Sequence, residues 1–217
     1  MKDIDDTKSG NIIDHRPVAS HGLAWILGLL FGLSSHVAAN DPQAALVEVT
    51  SSTLDHAQMF WASQVESWRD ARVVLYTGKE PSPCGQADQT TGPFYCPPDE
   101  HVFLDLSFLA TIHGDLARAY VVAHEIGHHV QKLRGEFNGR PSVDIELEAD
   151  CYAGMWAADE QKRGMLDTDD VAGALAETAA VGDDRICPGC SPEQWTHGSS
   201  AMRTASFQRG LAGGPCK

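Results

Sequence analysis

The amino-acid sequence predicts an α+β fold that is mainly helical and carries a small β-sheet. The chain has 217 residues, 42% of them hydrophobic, which is enough for one domain with a substantial core. Apolar residues recur at helical spacing, and the predicted helices cover residues 43–70, 114–133, 143–163, 167–182 and 200–210. Two runs rich in β-branched and aromatic residues, 72–76 and 101–106, predict strands, and a Pro- and Gly-rich loop over residues 79–100 separates them.

The charge of the chain limits the classes of partner. The formal net charge is −14, and no basic run interleaved with aromatic residues occurs. Acidic surfaces repel the phosphate backbone of DNA and RNA. We therefore expect no nucleic-acid partner.

The N-terminal part predicts a tail followed by a membrane anchor. Residues 1–21 are polar and aperiodic, which predicts a disordered tail. Residues 22–39 begin with the apolar run GLAWILGLLFGL, and their 18 residues reach the lower limit for crossing a bilayer. We predict a transmembrane segment here, a globular domain over residues 40–217, and a single-pass protein of the cell membrane with that domain in the periplasm.

Two alternatives remain for the apolar segment. A cleaved signal peptide fits its core length and the small residues Val37, Ala38 and Ala39, and would make the protein secreted. The long, non-basic stretch before it favours the anchor. A buried core helix is the second alternative, which the absence of a polar face disfavours.

The segment HEIGHH (124–129) carries the pattern H-E-x-x-H on the strongest predicted helix. His124 and His128 are four residues apart, so a helix places both imidazoles on one face, with Cβ atoms about 5–6 Å apart. Two imidazoles so placed can bind one tetrahedral zinc ion. Glu125 lies about 100° around the helix, where it can take a proton from a metal-bound water molecule without being a ligand.

The flanks of this motif indicate a half-buried helix. Apolar residues recur around it at helical spacing: Leu116, Val122, Ile126, Val130 and Leu133. Gly127 costs about 1 kcal/mol relative to Ala in a helix interior. A close neighbour at that point, either another backbone or a substrate, would explain it. The alternative is a helix with an exposed His-rich face.

A catalytic zinc site needs a third protein ligand and one open position for water. Glu146 and Asp150 are four residues apart on the next predicted helix. Glu146 can supply the carboxylate ligand, and Asp150 can accept a hydrogen bond from the free N–H of a ligating histidine. Glu148 is the competing ligand and points about 160–200° away from both. A solvated acidic face is the further alternative.

Six segments resemble the bacterial neutral zinc metallopeptidase family, the YpfJ-type proteins, and occur in the order of that family. They are TGPFYCP (91–97), VFLDLSF (102–108), YVVAHEIGHHVQ (120–131), ELEADCYAGMWA (146–157), AVGDDR (180–185) and THGSSAMR (196–203). The resemblance runs from about residue 73 to the C-terminus. It implies a zincin-like, mainly helical catalytic domain built around an H-E-x-x-H active-site helix.

The resemblance also implies roles for individual residues. His124 and His128 are expected as zinc ligands and Glu125 as the catalytic acid/base. By the related gluzincin pattern E-x-x-x-D, Glu146 is implied as the third ligand, in preference to Glu148, and Asp150 as a hydrogen-bond partner of a ligand. The single membrane span common in the family fits residues 22–39.

Two departures from the family pattern stand out. The stretch between the HEIGHH and ELEAD segments is shorter, which alters one wall of the expected cleft. The segment CPGCSPEQW (187–195) adds two of the six cysteines. An added pair is expected to bond to itself, which leaves the pairs Cys84–Cys96 and Cys151–Cys216. The alternative is a second zinc site formed by Cys187, Cys190 and His197, which requires a reducing compartment.

His197 resembles a family residue, and we predict it as a catalytic residue that stabilises the oxyanion of the tetrahedral intermediate. A structural hydrogen bond is the alternative for this side chain. His129 points about 100° away from His128, which indicates a surface or hydrogen-bonding role.

Two further segments have weaker expectations. Asp183, Asp184 and Arg185 predict a helix cap and an ion pair rather than a catalytic group. By analogy with other zincins, the strand at residues 102–107 is expected to be an edge strand that binds an extended peptide.

The sequence therefore predicts a zinc metallopeptidase that hydrolyses peptide bonds with a zinc-activated water molecule and Glu125 as general base. Zn²⁺ is the expected cofactor, and peptides or proteins are the expected substrates. One alternative is a non-catalytic, zinc-binding envelope protein. A structural domain without metal is the other.

Overall fold

The computed structural model describes residues 10–16 and 43–217. In chain order its strands are β1 (Ile12–Asp14), β2 (Arg72–Tyr76), β3 (Glu80–Ser82), β4 (Gly85–Ala87), β5 (Phe94–Cys96) and β6 (His101–Asp105). Its helices are α1 (Ala44–Ala62), α2 (Leu106–Leu109), α3 (Asp115–Leu133), α4 (Ser142–Lys162), α5 (Thr168–Ala180), α6 (Asp183–Ile186) and α7 (Ser200–Leu211). Several helices together with a four-stranded and a two-stranded sheet confirm the α+β prediction.

The main sheet has four strands in the order β1-β2-β6-β5. Strands β1, β2 and β6 run parallel, and β5 pairs antiparallel with β6. The last four residues of β2 and of β6 are buried, as expected for central strands covered on both faces. Strands β3 and β4 form a separate antiparallel pair inside the predicted loop.

The sheet corrects two predictions. Strand β1 lies in the predicted disordered tail and pairs Ile12 with Val73 and Ile13 with Val74. Three residues are too few to show a hydrophobic period, so only the neighbouring strand reveals this one. The expected peptide-binding edge strand, residues 102–107, is also wrong, because β6 lies between β2 and β5 and the edge next to it is β5.

The helices pack around α3, which contacts α1, α4, α5 and strand β5. The most extensive contact joins α4 and α7, where an added Cβ on Gly210 would overlap the carbonyl of Cys151. Helix α1 ends at Ala62, earlier than the predicted residue 70, and Ser67 adopts a left-handed φ of 57° that no helix continues through. The other long helices lie within a few residues of their predicted bounds.

The cysteines form the three expected disulfides: Cys84–Cys96, Cys151–Cys216 and Cys187–Cys190. The first disulfide joins the turn between β3 and β4 to the end of β5. The second joins the C-terminal segment to α4. Cys187 and Cys190 are bonded to each other, so the alternative zinc site that used their thiols is wrong.

Among residues 10–16 and 43–217, no helix is both long enough and apolar enough to cross a membrane. This finding corrects the predicted single-pass membrane localisation with a periplasmic catalytic domain. The longest described helix, α4, carries acidic residues such as Asp144, Glu146 and Asp150, and ionised groups are costly in hydrocarbon. The apolar segment 22–39 itself lies outside the described residues.

Candidate metal centre

Three side chains on two helices converge at the floor of a cleft. His124 and His128 lie on α3, Glu146 lies on α4, and their ligand atoms all lie within 4.8 Å of one another. The Nε2 atom of His124 is 3.2 Å from Oε2 of Glu146, and Nε2 of His128 is 3.4 Å from Oε1 of the same carboxylate. The structure thus brings together the three residues that were predicted as ligands.

A close approach of α3 and α4 makes this convergence possible. A Cβ atom added to Gly127 would lie 3.1 Å from both the Cα atom and the carbonyl oxygen of Ala149. The close neighbour expected at Gly127 is therefore confirmed, and it is the backbone of α4. Glu146 lies three residues before Ala149, one turn away on α4, which lets its carboxylate reach both histidines.

Asp150 orients His124. Its Oδ1 atom is 2.9 Å from Nδ1 of His124, so Nδ1 donates to Asp150 and Nε2 is the nitrogen that faces Glu146. Without a metal, burial lowers the pKa of His124, but the hydrogen bonds and charges of Asp150 and Glu146 outweigh burial and raise it to about 10.

Arg203 and Tyr120 complete the surroundings of Asp150. The guanidinium of Arg203 donates to both carboxylate oxygens, at 2.8 and 2.9 Å, and the Tyr120 hydroxyl donates to Oδ1 at 2.6 Å. Burial raises the pKa of Asp150, but the charge and hydrogen bonds of Arg203 outweigh it and hold the pKa below its usual value. Both partners lie in segments that carry the family resemblance, yet no sequence spacing links them to Asp150.

Glu148 points away from the two histidines. Its Oε2 atom accepts hydrogen bonds from Nε2 of Gln131 at 2.8 Å and from Nη1 of Arg140 at 2.5 Å. Gln131 in turn contacts His128, whose Nδ1 atom is 2.8 Å from its Oε1 atom. The sequence interpretation assigned no role to Gln131. This residue lies three residues after His128, which is a neighbouring position on the surface of the helix.

Glu125 has an unusual environment for a carboxylate. It is 5% exposed, and its Oε2 atom is buried with no hydrogen-bond partner among the described residues. Burial raises its pKa, and the nearby His124 and His128 offset part of that effect. A buried carboxylate that lacks a partner needs a ligand or a water molecule to satisfy it.

The cleft above these residues has a volume of about 790 Å³. Many apolar and aromatic side chains line it: Phe94, Tyr95, Phe108, Val121, Phe137, Ile145, Val181 and Ile186. The volume is in the range of pockets that enclose small ligands or short peptide segments. The cleft therefore combines apolar walls with a charged floor.

His197 lies at the rim of this cleft. Its side chain is 42% exposed, and its Nδ1 atom is 3.1 Å from Oδ1 of Asp183. The other carboxylate oxygen of Asp183 accepts backbone N–H groups of Thr196, His197 and Gly198 at 2.7–2.9 Å. Asp183 thus shapes the loop through hydrogen bonds, and its contact is with His197 rather than with the neighbouring Arg185. Because Nδ1 of His197 faces Asp183, Nε2 is the nitrogen left for a ligand.

His129 lies outside the metal cluster. Its ring is buried, with Nδ1 2.9 Å from the Tyr95 hydroxyl and Nε2 2.7 Å from the Arg69 carbonyl oxygen. The hydrogen-bonding role expected for this residue is confirmed, and the surface alternative is wrong.

Two histidines and a glutamate that could hold a metal ion, with a second glutamate beside them, form a candidate His/His/Glu metal centre. A family described as "Putative neutral zinc metallopeptidase" matches residues 32–217, and this chain belongs to that family. The family resemblance inferred from the sequence is thereby confirmed.

Relatives at moderate identity support the family assignment. "Uncharacterized protein YpfJ" of Escherichia coli (strain K12) is 37% identical in an alignment 207 residues long, and the match covers 82% of this chain and 71% of that relative. "Uncharacterized protein Mb2605" of Mycobacterium bovis and "Uncharacterized protein Rv2575" of Mycobacterium tuberculosis are each 37% identical in an alignment 185 residues long. Each match covers 71% of this chain and 63% of the relative. No solved structure matches the chain.

Proposed function

We propose that this protein is a zinc-dependent peptidase that hydrolyses peptide bonds with Glu125 as general base. The observation that carries the proposal is the buried, unpartnered carboxylate oxygen of Glu125 beside the cluster of His124, His128 and Glu146. A carboxylate held without a partner next to a metal-binding cluster is suited to receive a proton from a water molecule at that point.

The donor set fits zinc. Two imidazole nitrogens and one carboxylate oxygen are the protein ligands of one common type of catalytic zinc site, which keeps a fourth position open. Asp150 and Gln131 occupy the Nδ1 atoms of His124 and His128, so both Nε2 atoms are free to bind. When bound, zinc supplies a Lewis acid that polarises the scissile carbonyl group and lowers the pKa of a water molecule.

The side chains of the cleft perform the remaining steps. Glu125 takes the proton of the attacking water molecule and delivers it to the leaving amine. His197 donates a hydrogen bond to the oxyanion of the tetrahedral intermediate from the rim. The apolar walls bind substrate side chains and reduce the access of bulk water to the reacting atoms.

Family membership supports a zincin-like architecture, with α3 as the active-site helix of a peptidase domain over residues 40–217. The substrate is a peptide or protein chain. Strand β5 is an edge of the sheet, and its Phe94 and Tyr95 line the cleft, so β5 is suited to pair with an extended substrate backbone.

The decisive experiment replaces Glu125 with Gln in purified, zinc-loaded protein. We expect the rate of peptide hydrolysis to fall by about 10²–10⁴-fold, because the amide cannot accept the proton, while zinc content stays at that of the wild type. Glu160→Gln is the matched control, since Glu160 is equally buried but pairs with His56 outside the cleft. Glu125→Gln protein that kept its zinc and cut peptides at the wild-type rate would rule out the mechanism.

Metal analysis separates the remaining alternatives. We expect about one zinc ion per chain, lost in His124→Ala. Zinc at that stoichiometry without cleavage of any member of a broad peptide library would support a non-catalytic zinc-binding protein. Absence of zinc from wild-type protein purified with zinc present would support a structural domain without metal.

A further inference from the structure

We propose that Gln131, held in place by Glu148, is the positioning residue that orients His128 for metal binding. The inference rests on the proposed zinc site and adds to it Gln131, for which the sequence offered no role, together with its partner Glu148. It makes Glu148, the rejected candidate for the third ligand, a support of the second histidine.

The contacts form a continuous chain from α4 to the metal cluster. Nδ1 of His128 lies 2.8 Å from Oε1 of Gln131. The amide nitrogen of Gln131 donates to the carbonyl oxygen of Ile145 and to Oε2 of Glu148, both at 2.8 Å. Gln131 is completely buried, so each of these bonds replaces one that water would otherwise make.

The orientation of the Gln131 amide follows from the chemistry of its partners. A backbone carbonyl can only accept a hydrogen bond, so the NH₂ group must face Ile145, and the Glu148 oxygen on the same side accepts from it too. The amide oxygen is then the atom that faces His128 and can only accept. Nδ1 of His128 must therefore carry a proton, and Nε2 keeps its lone pair for the metal.

Glu148 is held as a strong acceptor. It is 1% exposed, and Nη1 of Arg140 lies 2.5 Å from its Oε2 atom. Nζ of Lys217 lies 3.8 Å from its other oxygen, and the neighbouring Cys216 is tied to α4 by a disulfide. Arg140 therefore holds the carboxylate in the position where its Oε2 atom accepts from the Gln131 amide.

The first test observes the zinc-loaded wild-type protein by ¹H–¹⁵N NMR of its histidines. We expect His128 to bind zinc through Nε2 and to show a slowly exchanging Nδ1–H proton. In Gln131→Leu that proton should exchange faster or shift, because its acceptor is gone. Ligation of zinc through Nδ1 in the wild type would overturn the proposal whether or not any variant folds.

The second test measures zinc affinity by competition with a chelator. We expect Gln131→Leu to raise the zinc dissociation constant by about 10–100-fold, and Glu148→Gln to raise it by a smaller factor. Gln58→Leu is the matched control, a nearly buried glutamine on α1 outside the cleft, and should stay within about twofold of wild type.

The outcomes separate this inference from the proposed function. Wild-type protein that binds no zinc contradicts both. Wild-type protein that binds zinc, together with unchanged affinity in both Gln131→Leu and Glu148→Gln, contradicts the positioning role alone. If Gln131→Leu fails to fold, the wild-type NMR spectrum and the affinity of Glu148→Gln still decide.

Discussion

The floor and the rim of the cleft are built in opposite ways. The floor joins α3, α4 and α7 through the buried cluster of Tyr120, Asp150 and Arg203, and Asp150 is completely buried. The rim is a loop that contains His197. The side chain of His197 is 42% exposed and contacts the carboxylate of Asp183.

Because of this difference, we expect substitutions at the floor and at the rim to affect different properties of the protein. Removing the partner of a charge buried among helices strongly lowers the free energy of unfolding. Floor residues therefore support both the fold and the metal centre. Rim residues have water as an alternative partner, and their substitution can change turnover while the fold persists. The predictions below test this contrast, from the largest expected effect to the smallest.

Arg203→Leu gives the largest expected effect. It leaves Asp150 buried without its cation, and we expect the free energy of unfolding to fall by about 3–5 kcal/mol in urea denaturation. Arg209→Leu, on the exposed face of the same helix, is the control and should change stability by less than about 0.5 kcal/mol. If the two variants had the same free energy of unfolding, the buried floor would contribute no more to stability than an exposed position does.

His197→Ala tests the rim. On the proposed function, we expect kcat to fall by about 10²–10³-fold, because one donor to the oxyanion is lost. Zinc content and the midpoint of thermal unfolding should remain those of the wild type. The exposed His113 lies outside the cleft and serves as the control in His113→Ala. Parallel loss of zinc and activity would instead make His197 part of the metal centre.

Gly127→Ala tests how tightly the floor is packed. Its new Cβ would press against Ala149, and overpacking of about 1–3 kcal/mol outweighs a gain in helix propensity of about 1 kcal/mol. We expect a net loss of up to about 2 kcal/mol in thermal unfolding. Gly173→Ala, on α5, should stabilise the protein, because among the described residues only the backbone of its own helix lies within 4 Å of the new Cβ. Stabilisation by both substitutions would show that α3 and α4 can move apart freely.

Asp183→Asn gives the smallest expected effect, and that effect depends on pH. Burial raises the pKa of Asp183, but the hydrogen bonds from His197 and Gly198 outweigh it and hold the pKa below its usual value. The carboxylate therefore stabilises the fold above the unfolded-state pKa of about 4, and this contribution disappears as the pH falls through the folded-state pKa.

We expect Asp183→Asn to cost about 1 kcal/mol near neutral pH and progressively less below about pH 4. Urea unfolding of both proteins over that pH range measures the difference. Glu66→Gln, at an exposed position outside the helices and strands, should change stability by less than about 0.5 kcal/mol throughout. A loss for Asp183→Asn that stays constant down to low pH would show that the charge of Asp183 contributes nothing.

The sequence by itself determined the local part of the site. A spacing of four residues on a helix places His124 beside His128, and the same spacing relates Glu146 to Asp150 on the next helix. The helices that carry them begin and end within a residue or two of the predicted positions, because a long apolar period is a strong signal. The family resemblance, rather than spacing, favoured Glu146 over Glu148 and implied the disulfide pairs.

Only the tertiary structure decided which helical faces meet and which distant residues join them. Arg203 lies 53 residues from Asp150, and Gln131 contacts Glu148 across two helices, so no period in the sequence connects either pair. Strand β1 likewise became visible only through its partner β2. Helix spacing reports the direction of a side chain, whereas the hydrogen bonds that orient His124 and His128 depend on the packing of α3 against α4 and α7.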